Sequence, residues 1–238
     1  MALAWSGFAE EVARRKPVFW VRDDDAVALT PALMNLLSLV QKHNIPLALA
    51  VIPDLAAPDL FTGLAEEVSV LQHGCDHRNR AAPGEKKTEF PAHEGIPEAL
   101  DRLRLAHQRL ASMGGSRVLR VVAPPWNRMR RELAAELPSI GMRGFSGYGE
   151  EQSVPGLTHI NTQVDIVAWR EGKRFIGEDS AVQLAMTHVL KDKAVGWLTH
   201  HAVHDAAAWT FLERLFALRG PRWTRAAELF SYTRAAHG

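Results

Sequence analysis

Two imidazoles at positions 73 and 77, and three consecutive carboxylates, Asp23, Asp24 and Asp25, are the residues of this chain best suited to chemistry. A histidine pair at that spacing folds onto one ion from a helix face or from a strand-to-loop turn. One added carboxylate completes a two-histidine, one-carboxylate site for a borderline divalent metal. Three adjacent acids repel one another, so a fold that keeps them together needs cations or raised pKa values. Neighbouring carboxylates also point different ways, which lets one hold a metal while another faces a bound water as general base. The plainer alternatives are a solvated histidine pair and an acidic turn or helix cap, and capping suits Asp25 well. Position favours the functional reading. Both groups follow short apolar runs, Pro17 to Arg22 and Val68 to Gln72, and Gly74 allows close backbone approach between the histidines.

Polar chemistry recurs wherever a short apolar run ends. Val118 to Val122 leads into Ala123, Pro124, Pro125, Trp126, Asn127 and Arg128, and a run from Leu157 to about Val164 leads into Asp165 and Trp169. Ala194 to Leu198 ends in Thr199, His200 and His201. A histidine titrating near neutrality suits the protonation of a leaving group, and strand alternation lets only one of His200 and His201 point inward. Cys75 lies between the two spaced histidines, where a loop thiol pointing away is the simpler reading. Trp126 and Trp169 are the tryptophans placed to stack on a substrate ring, whereas Trp20, Trp197 and Trp209 read as core.

The elements that must position these groups alternate between strand-like and helix-like segments. Thr30 and Pro31 open a helix that carries Leu33, Leu36, Leu37 and Val40 and stops near Asn44. Ile45 to Ile52 reads as a strand, Pro58 to Glu67 as a helical segment, and Ile96 to Met113 as a helix closed by Gly114 and Gly115. Ala81 to Gly95 lacks periodicity and reads as a loop over the face where the strands end. Helices are expected at 129–137, 179–191 and 205–218, with a short strand near 144–146 and a last amphipathic stretch from Thr224. About seven strands, each followed by a helical segment, with no linker and no repeat, predict one α/β domain. In a parallel barrel all the strand ends open on one face, so distant groups converge; an open doubly wound sheet gathers only those at its switch point.

Composition narrows the function. The 238 residues carry 28 Lys+Arg and 27 Asp+Glu, a net charge of +1, which argues against a nucleic-acid partner. One cysteine rules out an internal disulfide framework, no apolar run is long enough for a membrane helix, and Glu10 and Glu11 stand where a signal peptide needs an apolar core. A cytoplasmic protein is expected.

Taken in order, the strand ends resemble the motifs of the polysaccharide deacetylase family, carbohydrate esterase family four, from Val18 to Asp205. Val21 to Asp25 is similar to the first motif, Thr-Phe-Asp-Asp-Gly, and the resemblance implies Asp23 as catalytic base and Asp24 as metal ligand. His73 to His77 resembles the second motif and implies both histidines as ligands. Val122 to Trp126 resembles the third, Asp165 with Trp169 the fourth, and Leu198 to His200 the fifth. Arg22 stands in place of Phe, Asp25 in place of Gly, Gly74 in place of Ser or Thr, and Ala123 in place of the Arg that orients the base. Arg22 or Arg128 would then supply that charge.

The resemblance implies a single deformed (β/α) barrel with its site at the C-terminal ends of about seven parallel strands. It implies a metal-dependent hydrolase that removes an acyl group from an N-acyl or O-acyl sugar-like substrate, small or oligosaccharide. The metal is zinc, or another transition metal such as cobalt, nickel or manganese, on Asp24, His73 and His77. Asp23 is the base, His200 the acid, and the turn at Pro125 and Trp126 helps hold the oxyanion. Arg22, Asp25, Arg128, Asp165 and His201 surround these groups. Two other functions remain open: hydrolysis of a non-sugar C–N bond on the same scaffold, and a non-catalytic metal-binding relative.

Overall fold

A computed structural model describes residues 2–151 and 154–231. Its strands are β1 Val18–Ala26, β2 Leu47–Val51, β3 Ser69–Gln72, β4 Val118–Val122, β5 Gly144–Phe145, β6 Thr158–His159, β7 Val164–Asp165, β8 Val167–Ala168, β9 Arg174–Phe175, β10 Val195–Thr199 and β11 Arg222–Trp223. Its helices are α1 Ala2–Arg15, α2 Pro31–His43, α3 Asp59–Thr62, α4 Ile96–Gly114, α5 Arg131–Glu136, α6 Glu178–Val189, α7 Ala206–Phe216 and α8 Ala226–Ser231.

One sheet runs in the order β6-β5-β4-β3-β2-β1-β10-β7, with β11 also paired to β1. The ladders β1–β10, β1–β11, β7–β10, β3–β4, β4–β5 and β5–β6 are parallel. Parallel neighbours require crossover connections, which the helices supply. The small β8–β9 pair is antiparallel and separate.

Local signals set the helix ends. Thr30 accepts the N–H of Leu33 at 3.2 Å, Pro31 takes the first turn, and Asn44 closes α2 in the left-handed region at φ 54°. Asp205 caps α7 by accepting the N–H of Ala208 at 2.8 Å. Several expected elements are shorter than the sequence pattern suggested. Gly63 stops α3 after one turn, an extended Arg130 delays α5 to Arg131, and the expected strand from 157 is split into β6 and β7. At that break the side chain of Asn161 accepts the N–H of Gly147 at 2.6 Å and donates to the carbonyl of Glu150 at 3.0 Å. β1 is longer than expected: the three aspartates lie inside it, where the ladder to β10 continues to the pair Asp23 and Thr199.

The chain divides into two compact units. One comprises the chain through Asp24, Thr30–Ala48 and Thr162–Ala226. Its core is aromatic. Phe8 stacks on Phe19 with centroids 6.3 Å apart, Trp197 meets Phe19 edge-on at 5.6 Å, and Trp5 meets Phe211 at 6.1 Å. Phe8 and Trp5 come from α1, a helix for which the sequence pattern gave no expectation. Trp20 and Trp197 are buried in this core, and Trp209 is half-buried against His204.

The other unit comprises Asp25–Leu29, Leu49–Asn161 and the segment after Ala226. Here Phe90, Leu103, Val122, Leu133, Leu137 and Met142 form a buried cluster beneath α4 and α5. Among the described residues no helix is long and apolar enough to cross a membrane.

Candidate metal centre

β3 ends at Gln72, and the next residue, His73, is pinned by its backbone N–H on the carbonyl of Val51 at 2.8 Å. Gly74 and His77 both take positive φ, 60° and 57°, which turns the chain back so that the two rings lie 5.2 Å apart. His73 Nδ1 lies 2.9 Å from the carbonyl oxygen of Ala123. A carbonyl only accepts, so Nδ1 carries the hydrogen and Nε2 presents its lone pair. Asp25, at φ 70°, places Oδ1 3.1 Å from Nε2 of both His73 and His77. His77 also packs on Trp126, centroids 4.5 Å apart, where the turn at Pro125–Asn127 takes Trp126 to φ 55°.

These three groups fit a divalent cation. A carboxylate oxygen and two imidazole nitrogens, one of them fixed as an acceptor by a backbone carbonyl, stand within 4.8 Å of one another. Acceptors facing each other at such distances need a cation or a proton between them.

The carboxylate that stands beside both histidines is Asp25, the residue after the expected ligand Asp24. Consecutive side chains on a strand face opposite ways, so Asp24 and Asp25 do not share a direction. Asp24 is taken by Arg22, two residues earlier and on its own face, with Nε to Oδ1 at 2.8 Å and Nη2 to Oδ2 at 3.0 Å. Both side chains are buried. Arg22 is therefore the cation beside Asp24. Arg128 is exposed, and its Nη1 donates to the carbonyl of Lys87 at 3.0 Å.

Asp23 is enclosed completely and faces the end of β10. Its Oδ2 accepts from Thr199 Oγ1 at 2.7 Å and from the His201 N–H at 2.9 Å, and its Oδ1 lies 2.5 Å from His201 Nδ1. Burial would raise its pKa, but the charge and hydrogen bond of His201 outweigh burial and hold it below the ordinary value. Asp23, expected as the general base, thus has both oxygens committed to Thr199 and His201.

His200 directs Nε2 toward Asp24 Oδ2, 3.9 Å away, and meets the ring of Trp169 edge-on at 4.6 Å. Trp169 Nε1 donates to Asp165 Oδ2 at 2.8 Å, and the Val167 N–H to Asp165 Oδ1 at 3.0 Å. Burial raises the Asp165 pKa, against the opposing charge of His200. The His200 N–H donates to His204 Nε2 at 3.2 Å. Burial pushes His204 down to about 4, which keeps it neutral and able to accept. Of the two histidines, His200 is the one beside Asp24, and His201 is bound to Asp23.

Pro125 is buried in the turn that bears Trp126, and the following Asn127 reaches a cavity of about 180 Å³ whose wall also includes Met129, Arg131, Phe145, Tyr148 and His159. Glu89, inside the stretch expected as a loop from Ala81 to Gly95, lies buried against the turn between the two histidines.

Solved structures with similar folds carry known chemistry. The family 4 carbohydrate esterase from Streptomyces lividans, solved with acetate, matches with a TM-score of 0.58 at 16% identity, over 84% of this chain and 86% of that one. The peptidoglycan deacetylase PdaC from Bacillus subtilis matches with a TM-score of 0.59 at 15% identity, over 90% of each chain. A CE4 family pseudoenzyme from Bacillus anthracis matches at 0.60 and 15% identity, over 90% of this chain and 66% of that one. The fold is that of the family 4 carbohydrate esterases. The expected (β/α)-barrel class is thereby borne out, and identities this low carry the fold alone. No family model matches the sequence, and no curated protein matches it.

Proposed function

We propose that the protein is a metal-dependent deacetylase that hydrolyses an N-acyl or O-acyl group on a sugar-like substrate. The observation that carries this reading is the convergence of Asp25, His73 and His77 on one point, at the strand-end positions where the resemblance to the deacetylases lies. A divalent ion held by these three residues, zinc or another transition metal, would supply a Lewis acid for the acyl carbonyl and a water of lowered pKa.

The remaining roles fall to the chain's own residues. Asp24, the residue before the ligand on β1, takes the proton of the attacking water, and Arg22 holds it in place as the charged partner. His200, with Nε2 beside Asp24, gives a proton to the leaving amine or alkoxide. The backbone N–H of Trp126 supports the developing oxyanion. Asp23 and His201 tie the end of β10 to β1 and thereby fix His200.

Acetate and ammonia release from N-acetyl amino sugars, chito-oligosaccharides, O-acetyl sugars and simple N-acyl amines tests the reading. Protein loaded in turn with Zn²⁺, Co²⁺, Ni²⁺ or Mn²⁺ is expected to release acetate, and a chelator or Asp25→Ala to stop it. Ammonia instead of acetate would move the reaction to another C–N bond. No release with any metal would overturn the enzyme reading, an outcome the Bacillus anthracis pseudoenzyme makes worth measuring.

A further inference from the structure

The long loop between β3 and α4 sends one buried carboxylate back to the turn that bears the histidines. Glu89 is fully enclosed. Its Oε1 accepts the backbone N–H groups of Cys75 at 3.0 Å and Asp76 at 2.9 Å, and its Oε2 lies 3.2 Å from the same Cys75 N–H. Arg102 from α4 donates Nη2 to Glu89 Oε1 at 3.1 Å and also binds Glu94. On the outer side of the turn, Asp76 accepts from both terminal nitrogens of Arg80, at 2.8 and 2.7 Å. Two of the three residues between His73 and His77 are therefore tethered by a single acid.

Gly74 shows how closely that acid packs. A Cβ at residue 74 would lie 2.0 Å from Glu89 Oε2 and 2.6 Å from Pro125 Cδ. A serine or threonine has no room there while Glu89 occupies its place. The turn also holds His77, a non-glycine residue, in the left-handed region, a conformation that persists only where surrounding contacts over-determine it. Two N–H groups held by one buried carboxyl are such contacts.

We propose that Glu89 is the positioning residue of the metal centre: it fixes the turn so that His73 and His77 present Nε2 to the same point as Asp25, and metal affinity depends on it. This rests on the reading of Asp25, His73 and His77 as ligands. A carboxylate that merely anchored the loop at 79–95 would affect stability and leave the affinity of the folded protein untouched.

Zn²⁺ affinity of the full-length chain, measured by competition with a chelator, separates the two, with Glu89→Ala and Glu89→Gln beside the wild type. Loss of an outer-sphere partner typically weakens metal binding ~10- to 100-fold, and that range is expected for E89A. E89Q keeps one oxygen acceptor but loses the second carboxyl oxygen, so a smaller loss is expected, with an altered visible spectrum of the Co²⁺ form in both variants. Wild-type affinity and spectrum in folded E89A and E89Q would overturn the proposal. Should E89A fail to fold, wild-type affinity and spectrum in E89Q overturn it alone. Asp25→Ala and His73→Ala run alongside, and Zn²⁺ binding that survives both overturns the ligand assignment itself, and Glu89's role with it.

Discussion

Arg22 and Asp24 form a two-point ion pair inside β1, Nε to Oδ1 at 2.8 Å and Nη2 to Oδ2 at 3.0 Å, with both side chains buried. Residues two apart on a strand share a face, so this pair is built into the pleat itself. It also decides which acid is left for the histidines. With Asp24 held by Arg22, the next residue, Asp25, turned by its positive φ, is the one that meets His73 and His77.

Removing Arg22 should therefore be costly. Arg22→Met leaves a buried carboxylate without its cation, a change that typically costs about 3–5 kcal/mol. Urea denaturation should show that loss, and Arg22→Lys should recover only part of it, because an ammonium cannot reproduce the two-point geometry. A fully stable R22M would mean that Asp24 is neutral or otherwise paired.

Metal content separates the three aspartates. Asp25→Ala should lose the bound ion, whereas Asp24→Asn should keep it and lose the reaction. Removal of a general base commonly costs about 100- to 10,000-fold in rate. Asp23→Asn should keep the metal and show a smaller rate loss, because Asp23 acts through Thr199 and His201. Metal bound by D25A but not by D24N would reverse the ligand assignment.

The histidine pair was legible from spacing alone, and the cap at Thr30 from local chemistry. The choice among three adjacent acids was not. A run of identical residues conceals its own register, and only the pleat of β1, with Arg22 two residues before Asp24, distinguishes them. Glu89 was harder still. It sits in a loop without periodicity, 14 residues after Cys75, and its partners there are backbone N–H groups, which leave no mark in a sequence. The two-residue strands β8 and β9 carry too few positions for an alternation to show. The α/β class was readable because it depends on a pattern repeated along the chain, and the barrel came with the resemblance of the strand-end motifs, whereas the ligand set depends on single contacts.

His204 should make the protein acid-sensitive. Burial lowers it to about 4, so between that value and its ordinary 6.5 the unfolded chain holds a proton that the folded chain does not. Stability is then fully present above about pH 6.5 and falls as the pH drops toward 4. His204→Asn, which keeps a polar group beside the His200 N–H, should flatten that decline in thermal melts from pH 4 to 7. An identical slope in wild type and variant would remove His204 as its source.

Glu89 should act in the opposite sense. Burial raises its carboxyl to about 7 from the ordinary 4.5, even though the N–H groups of Asp76 and Cys75 work against that rise. The folded chain then binds the proton more tightly than the unfolded one between those two values. The sign follows: the Glu89 contribution is fully present below about pH 4.5 and declines as the pH rises through 7, by at most about 3 kcal/mol for a shift of this size. This slope opposes that of His204 over nearly the same range. Glu89→Gln removes the titrating group and should uncover the His204 slope, so that the variant gains stability steadily from pH 5 to 7. Melting temperatures of wild type and E89Q across that range check it, and parallel curves would show that Glu89 keeps an ordinary pKa in the folded protein.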